Sequence, residues 1–316
     1  MTQKTESTEG MSYADWLLSR RRGIGGSDVA KILGLSKYSS PYQIWMDKTG
    51  KIEINTSETS EAAYWGHQME EVVAQEFAKR TGKKVEESKQ IYFHKDYPFL
   101  LANVDRLVVG EDAILECKTA SEYLKDSWAD DEIPIAYLAQ VQHYLNVLDK
   151  PKAYIACLIG GNKFVWKEIQ RDDELIGQMT ARLVDFWENN VLADVAPPVD
   201  GNASTTEFIS KMYADDYSDN SIELNSKQIK DIADLKELKQ YQSYIKEQID
   251  TIENRLKEAL GKENATYGNS AAYRISWKTQ NRKTVDSKLL KSDYPDIYEK
   301  VTKESISKRF TVKEIG

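Results

Sequence analysis

Cysteines and long apolar runs are both scarce in these 316 residues. The two cysteines, Cys117 and Cys157, are too few for a four-cysteine metal cluster or a disulfide framework, and they suit a reducing cytoplasm. No apolar run reaches the roughly 18 residues that a transmembrane helix needs. The opening MTQKTESTEG has no apolar core, so no secretory signal is expected, and residues 1–10 read as a disordered lead-in. No Gly-X-Ser-X-Gly elbow and no P-loop Gly-Lys-Ser/Thr occur, which removes support for a serine hydrolase or an ATP-driven motor.

Hydrophobic residues at 41% and charged residues at 30% describe an ordinary globular chain with ample material for a core. The net charge of −8 argues at first sight against nucleic acid, whose binders carry a basic footprint. The charge is uneven, however. Residues 1–263 hold 32 Lys and Arg against 45 Asp and Glu, whereas 264–316 hold 11 against 6. Acidic clusters in the body could also be cation ligands, so net charge does not decide the partner.

Residues 11–200 mix helical and strand signals. MSYADWLLSRRRG, GGSDVAKILGLS with Ser27 as its cap, YQIWMDKTG and SEAAYWGHQMEEVVAQEFAKRTG read as helices, three of them stopped by glycine. KQIYFH, LLANVDRLVV, AILECKT, AYIACLIGG and KFVWKEIQ read as strands, and DELIGQMTARLVDFWENNVL as a closing helix. The expected fold is α/β (α+β), with a small central mixed sheet flanked by helices. Residues 201–221 read as a linker. Residues 222–261 read as one long amphipathic helix with an Asn225–Gln228 capping box and Gly261 as its stop, and 262–316 as a basic C-terminal segment.

The stretch NVDRLVVGEDAILECKTA carries the chemistry. If its turn centres on Gly110-Glu111, Asp105 and Glu116 face each other across a hairpin, with Cβ atoms about 5 Å apart. Like charges there repel unless a divalent cation lies between them. Lys118 shares the strand face of Glu116 and could hold a water against a phosphorus centre. Alone, the stretch fits an exposed charged hairpin equally well, and a one-residue slip would move one carboxylate to the other face. On the preceding helix, Glu70 shares a stripe with Val73 and Phe77 and points inward. It needs either a cation or an arginine partner.

A glutamate on a helix, then Asp105, ten intervening residues and Glu116-Cys117-Lys118 resemble the PD-(D/E)XK nuclease core. RRRGIGGSDVAKILGLSKYSSPYQIWMDKTG, WGHQMEE, LANVDRL…LECKT and AYLAQVQHYL, in that order over roughly residues 13–160, resemble more specifically the YqaJ-like viral recombinases, the group that includes phage lambda exonuclease. Val104 stands where the motif has proline, a departure that touches no ligand.

The resemblance implies a Mg²⁺- or Mn²⁺-dependent exonuclease that resects double-stranded DNA from a 5′-phosphorylated end. Asp105, Glu116 and the Cys117 carbonyl would hold metal, Glu70 would serve a second ion, and Lys118 would position the water. Arg20 would hold the 5′-phosphate with Ser27 beside it, Arg21 or Arg22 substituting if the loop is offset. Gln140 would lie near the scissile phosphate, and Tyr137 and Gln142 of the same helix would bind the DNA or its 5′-phosphate. It further implies a ring-shaped homo-oligomer, a trimer, and a single-strand annealing protein as partner, in a phage-infected bacterial cytoplasm. His67 and His143 read as structural or DNA-facing, because carboxylates and carbonyls suit Mg²⁺. The basic end, with Arg274, Lys278, Arg282 and Lys283 near Trp277, reads as a guide for DNA or a dock for the annealing partner. The competing expectations are an endonuclease of the same core and an inactive DNA-binding or assembly protein.

Overall fold

The elements fall into two units, Met1–Met212 and Tyr213–Gly316, and the computed structural model describes residues 3–53, 60–214, 220–303 and 308–315. The first unit begins with β1 (Thr5–Ser7), α1 (Tyr13–Arg21), α2 (Gly26–Ile32), α3 (Pro41–Lys48) and the long α4 (Glu61–Thr81). Strands β2 (Val85–Glu87), β3 (Gln90–Phe93), β4 (Leu101–Ala102), β5 (Arg106–Val108) and β6 (Ala113–Ala120) follow. Then come α5 (Ile135–Leu148), β7 (Lys152–Ile159), β8 (Lys163–Gln170), α6 (Asp173–Phe186), which runs on into a π-type turn at Trp187–Leu192, and α7 (Ala203–Met212).

The helix boundaries have local causes. Ser60 caps α4 by accepting from the Ala63 N–H, and Gly82 ends it at φ 73°, a conformation glycine adopts without a Cβ clash. Ser40 caps α3, with Pro41 at its first position. Ser27 is not the cap of α2 as expected. Gly25 takes that place, and the Asp28 carboxylate accepts the Gly25 N–H at 3.1 Å. The Ser27 hydroxyl is thereby left to serve Arg20.

Five strands form the central mixed sheet in the order β2-β5-β6-β7-β8. β6 and β7 run parallel, and the other pairs are antiparallel. β7 is apolar almost throughout because both its faces are covered. On one face α4 lays Val73, Ala74 and Phe77 over Leu115, Cys117 and Tyr154. On the other, α5 with α2, α3 and α6 covers Ile114, Ile155 and Cys157.

LLANVDRLVV is two strands, not one. Leu101 and Ala102 belong to a three-stranded sheet, β1-β3-β4, and Arg106–Val108 to the central one. The chain passes from one sheet to the other at Asn103–Asp105. The lead-in is likewise not without structure, since Thr5–Ser7 pairs with Gln90–Tyr92. Nor does the domain end at residue 200. α7, inside the expected linker, packs on α3 through the Gln43 amide to the Ser204 carbonyl at 2.8 Å and through Tyr42 against Phe208. Residues 215–219 of that linker lie outside the described residues.

The second unit has α8 (Ser226–Lys262), β9 (Tyr267–Asn269), β10 (Arg274–Ser276), α9 (Ser287–Asp293) and α10 (Pro295–Val301). The Asn225–Gln228 capping box forms as expected. The 37-residue helix spans about 55 Å. Gly261 lies within it, one residue before its end.

Candidate active site

The β5–β6 ladder places Arg106 opposite Leu115 and Leu107 opposite Ile114. Continued by one residue, this register sets Asp105 opposite Glu116, as the turn at Gly110 predicts. The ladder itself stops at Arg106, so beyond Leu115 β6 has no strand on its β5 side, while β7 continues along the other. The Asp105 carboxylate fills the gap and accepts the Cys117 N–H at 2.7 Å. Because the N–H and C=O of one strand residue point to the same neighbour, the Cys117 carbonyl faces the same open edge.

Glu116 is 2% exposed. Its Oε1 accepts from Lys118 Nζ at 2.5 Å and from Gln140 Nε2 at 2.7 Å, while its buried Oε2 has no partner. Burial and the Glu116 charge push the Asp105 carboxyl well above its ordinary range, and burial raises Glu116 as well. Burial alone would pull the Lys118 ammonium down, but the Glu116 and Asp105 carboxylates outweigh it and hold it protonated. The Tyr137 ring lies 5.3 Å from that ammonium. This donor set is short of positive charge, and a hard cation suits it. Asp105, the free oxygen of Glu116 and the Cys117 carbonyl are the groups that could hold one.

Glu70 is not brought into that pair. Arg106 alternates to the α4 face of the sheet, where its Nη1 donates to Glu70 Oε1 at 2.5 Å and its Nη2 to Glu71 Oε2 at 2.8 Å. Glu70 has therefore found an arginine, the other of the two partners its position calls for. Among the described residues no three His, Cys, Asp or Glu side chains gather in a metal-holding group. Glu70 does line a cleft of about 270 Å³ together with His67, Asp105 and Lys118. An adjoining cleft of about 770 Å³ adds an aromatic wall from α1, with Tyr13 stacked on Trp16 at 5.8 Å. That wall was not anticipated, although Tyr13, Trp16 and Arg20 recur at helical spacing in YADWLLSR.

Arg20 donates to the Ser27 hydroxyl, lies 4.8 Å over the Trp16 ring and stands 3.7 Å from Asp28. Arg21 and Arg22 are engaged elsewhere, with Asp47 and Glu6. Behind Arg20 sits an ion pair that sequence reasoning missed. Lys48 Nζ donates to Asp28 Oδ2 at 2.7 Å and to the Arg20 carbonyl at 2.8 Å. Burial would raise the Asp28 carboxyl, but the Lys48 and Arg20 charges hold it far below its ordinary range. The one sequence signal was Asp28, three residues after Gly25 at a helix start.

α5 joins the two clusters. Gln140 donates to Glu116 and also to the Tyr144 hydroxyl at 2.9 Å. The Tyr144 ring packs on Gly26, where an added Cβ would come within 2.3 Å of it. Gln142 is a correction to the expected set. It lies on the opposite side of α5, donating to the Gln170 carbonyl at 2.7 Å and accepting the Asp172 N–H at 3.0 Å. Its amide thus fastens α5 to the β8–α6 connection. His143 is structural too, bonded to the Leu101 carbonyl at 2.9 Å and pushed down to about 4 by burial.

Residues 15–151 match the YqaJ-like viral recombinase domain. Over 308 residues the chain is 46% identical to a protein of Bacillus subtilis (strain 168) described as uncharacterized protein YqaJ, covering 97% of this chain and 96% of that one. Among solved structures it is similar to an alkaline exonuclease from Laribacter hongkongensis, at 17% identity and a TM-score of 0.49 over 58% of this chain and 94% of that one. It is also similar to a phage-related exonuclease from Haemophilus somnus 129PT, at 16% identity and a TM-score of 0.43 over 60% and 96%. With near full-length identity of 46% to one relative and the domain match on the half that holds both clusters, the chain belongs to the YqaJ-like viral recombinase family.

Proposed function

We propose that the protein is a metal-dependent exonuclease that degrades linear double-stranded DNA from a 5′-phosphorylated end and leaves a 3′ single strand for recombination by annealing. The observation that carries this is the buried Asp105–Glu116 pair, one oxygen unpartnered, with a protonated lysine beside it at the mouth of a cleft. Mg²⁺ or Mn²⁺ held by Asp105, Glu116 and the Cys117 carbonyl would supply Lewis-acid polarisation and a water of lowered pKa. A second ion at Glu70 would require that side chain to release Arg106.

The protein's own groups define the rest. Lys118 stays charged, so it serves as a hydrogen-bond donor to the attacking water or the developing phosphorane charge and not as a general base. Gln140 holds Glu116 in place through Oε1 and leaves Oε2 to the cation. Arg20 and the Ser27 hydroxyl present donors for a terminal phosphate, and Tyr13 and Trp16 offer flat surfaces beside it. The annealing partner, the ring-shaped trimer and a cytoplasmic location in the infected host accompany this proposal as its biological setting.

The test digests linear duplex with and without a 5′-phosphate, beside covalently closed circles, in Mg²⁺. Degradation of the linear phosphorylated duplex alone is expected. Cutting of the circle would replace the proposal with an endonuclease of the same core. For Arg20→Gln, the preference for a 5′-phosphate should disappear while slow hydrolysis of 5′-hydroxyl ends persists.

A further inference from the structure

The hairpin of β9 and β10 has two different faces. Gly268 pairs with Ile275, and a Cβ on Gly268 would lie 3.0 Å from Ile275 and 3.4 Å from Leu260. That face is seated on the last turns of α8. Strand alternation turns Tyr267, Arg274, Ser276 and, one step further, Lys278 to the opposite face. There the Arg274 guanidinium lies 4.4 Å and the Lys278 ammonium 5.0 Å from the centre of the Tyr267 ring.

The charge around this face is one-signed. Residues 264–285 contain no Asp or Glu and carry Arg274, Lys278, Arg282 and Lys283, in a chain whose net charge is −8. None of these four cations has a carboxylate partner among the described residues, whereas Lys236, Lys257 and Lys262 of the same unit each have one. The ring on this face is Tyr267, 41% exposed, and Tyr273, 80% exposed, stands at the hairpin tip beside Arg274. Trp277 alternates to the other face, toward Gly261 of α8.

We propose that this hairpin is a binding surface for an unpaired nucleic-acid strand. Cations without carboxylate partners, two of them held over the Tyr267 ring, match backbone phosphates and release their counterions. Exposed rings between them match unstacked bases, which present π-faces whatever the sequence. A duplex would engage the cations but leave Tyr267 and Tyr273 idle, because its bases are stacked on each other. An acidic polypeptide would leave them idle as well. The hairpin needs no contribution from the carboxylate site to do this.

The test uses the full chain in EDTA, so that nothing is cut, and reads fluorescence anisotropy of a labelled single strand and of its duplex over a range of salt. R274Q/K278Q/R282Q/K283Q should weaken single-strand binding at least about tenfold at low salt. It should also flatten the dependence of log K on log salt by about 2.8, at about 0.7 for each phosphate that is no longer neutralised. Tyr273→Ala should lower single-strand affinity about fivefold or more with the slope unchanged. The variant R274K/K278R/R282K/K283R should retain both affinity and slope, which separates loss of charge from loss of folding. Unchanged binding by the quadruple Gln variant overturns the proposal. So does an equal loss on duplex and single strand, or displacement by poly-glutamate as readily as by unlabelled oligonucleotide. Binding is read in EDTA, where the carboxylate site does no chemistry, so failure of the nuclease proposal and failure of this one give different results.

Discussion

Lys48→Met tests whether the Arg20 loop is held from behind by a buried ion pair. The Lys48 and Asp28 side chains are 1% and 6% exposed, and their atoms meet at 2.7 Å. Removing one member of such a pair leaves an uncompensated buried charge and costs about 3–5 kcal/mol. One donor, the Gly25 N–H at 3.1 Å, and one charge, the Arg20 guanidinium at 3.7 Å, remain to Asp28, so the lower end, about 3 kcal/mol, is expected. Urea denaturation at pH 7, followed by the tryptophans of the first unit so that each unit is read separately, gives the cost. The apolar double variant K48M/D28L should return to within about 1 kcal/mol of wild type, because it removes both charges together. The pH dependence has a definite sign. The folded Asp28 carboxyl lies below its unfolded value of about 3.9, so the pair stabilises above that pH and its contribution fades as pH falls below it. In K48M the main lowering charge is gone and burial raises Asp28, so the deficit should be larger at pH 8 than at pH 4. A deficit below about 1 kcal/mol, or one unchanged between pH 8 and pH 4, would refute the brace. The same variant frees the Arg20 carbonyl, so the 5′-phosphate preference should weaken with it.

Asp105→Asn keeps an acceptor for the Cys117 N–H and removes one buried charge; cleavage should fall by about 10³-fold or more. It should also lose the stabilisation by Mg²⁺, about 2.7 kcal/mol at a hundredfold excess over Kd, and a variant keeping both would show that the metal lies elsewhere. Gly26→Ala puts a Cβ within 2.3 Å of the Tyr144 ring; overpacking of about 1–3 kcal/mol should come with an activity loss of at least about tenfold, since Tyr144 must move with Gln140, and near-normal turnover would argue against that coupling. Gln142→Ala strips two backbone groups of their partner and should cost about 2 kcal/mol in denaturation, leaving the ratio of rates on phosphorylated and hydroxyl ends unchanged.

Much of the carboxylate pair was legible in the sequence. A turn glycine at Gly110, adopting φ 82°, set the register, and the register put Asp105 against Glu116. Glu70 was half legible, because helical periodicity pointed it inward without saying whether a cation or an arginine awaited it. The answer lay in the same register. Arg106 follows Asp105 directly, so its side chain must leave by the other face, the one α4 covers. Lys48 and Gln142 were not legible. Both act through bonds made by the packing of distant segments, Lys48 to Asp28 and the Arg20 carbonyl, Gln142 to the β8–α6 connection, and no local pattern marks a residue for such a role. The strand at Thr5–Ser7 escaped notice because a polar edge strand has no apolar alternation to betray it.

Two clusters that look separate along the chain, Arg20–Ser27 and Asp105–Lys118, are mechanically one. Gly26 has no side chain because the Tyr144 ring occupies that space, and the Tyr144 hydroxyl takes the Gln140 amide that also holds Glu116. In the proposed reaction, a terminal phosphate pulling on Arg20 and Ser27 would bear on the helix turn that packs against the partner of a metal-ligand candidate. Asp28 and Lys48 resist that pull from behind with a bond that solvent cannot screen. The proposed end-dependent cleavage would need such stiffness, since the distance between an anchored phosphate and the cut bond would decide how many nucleotides leave at each step. The short polar contacts through α5 supply it without a loop or a hinge in the path.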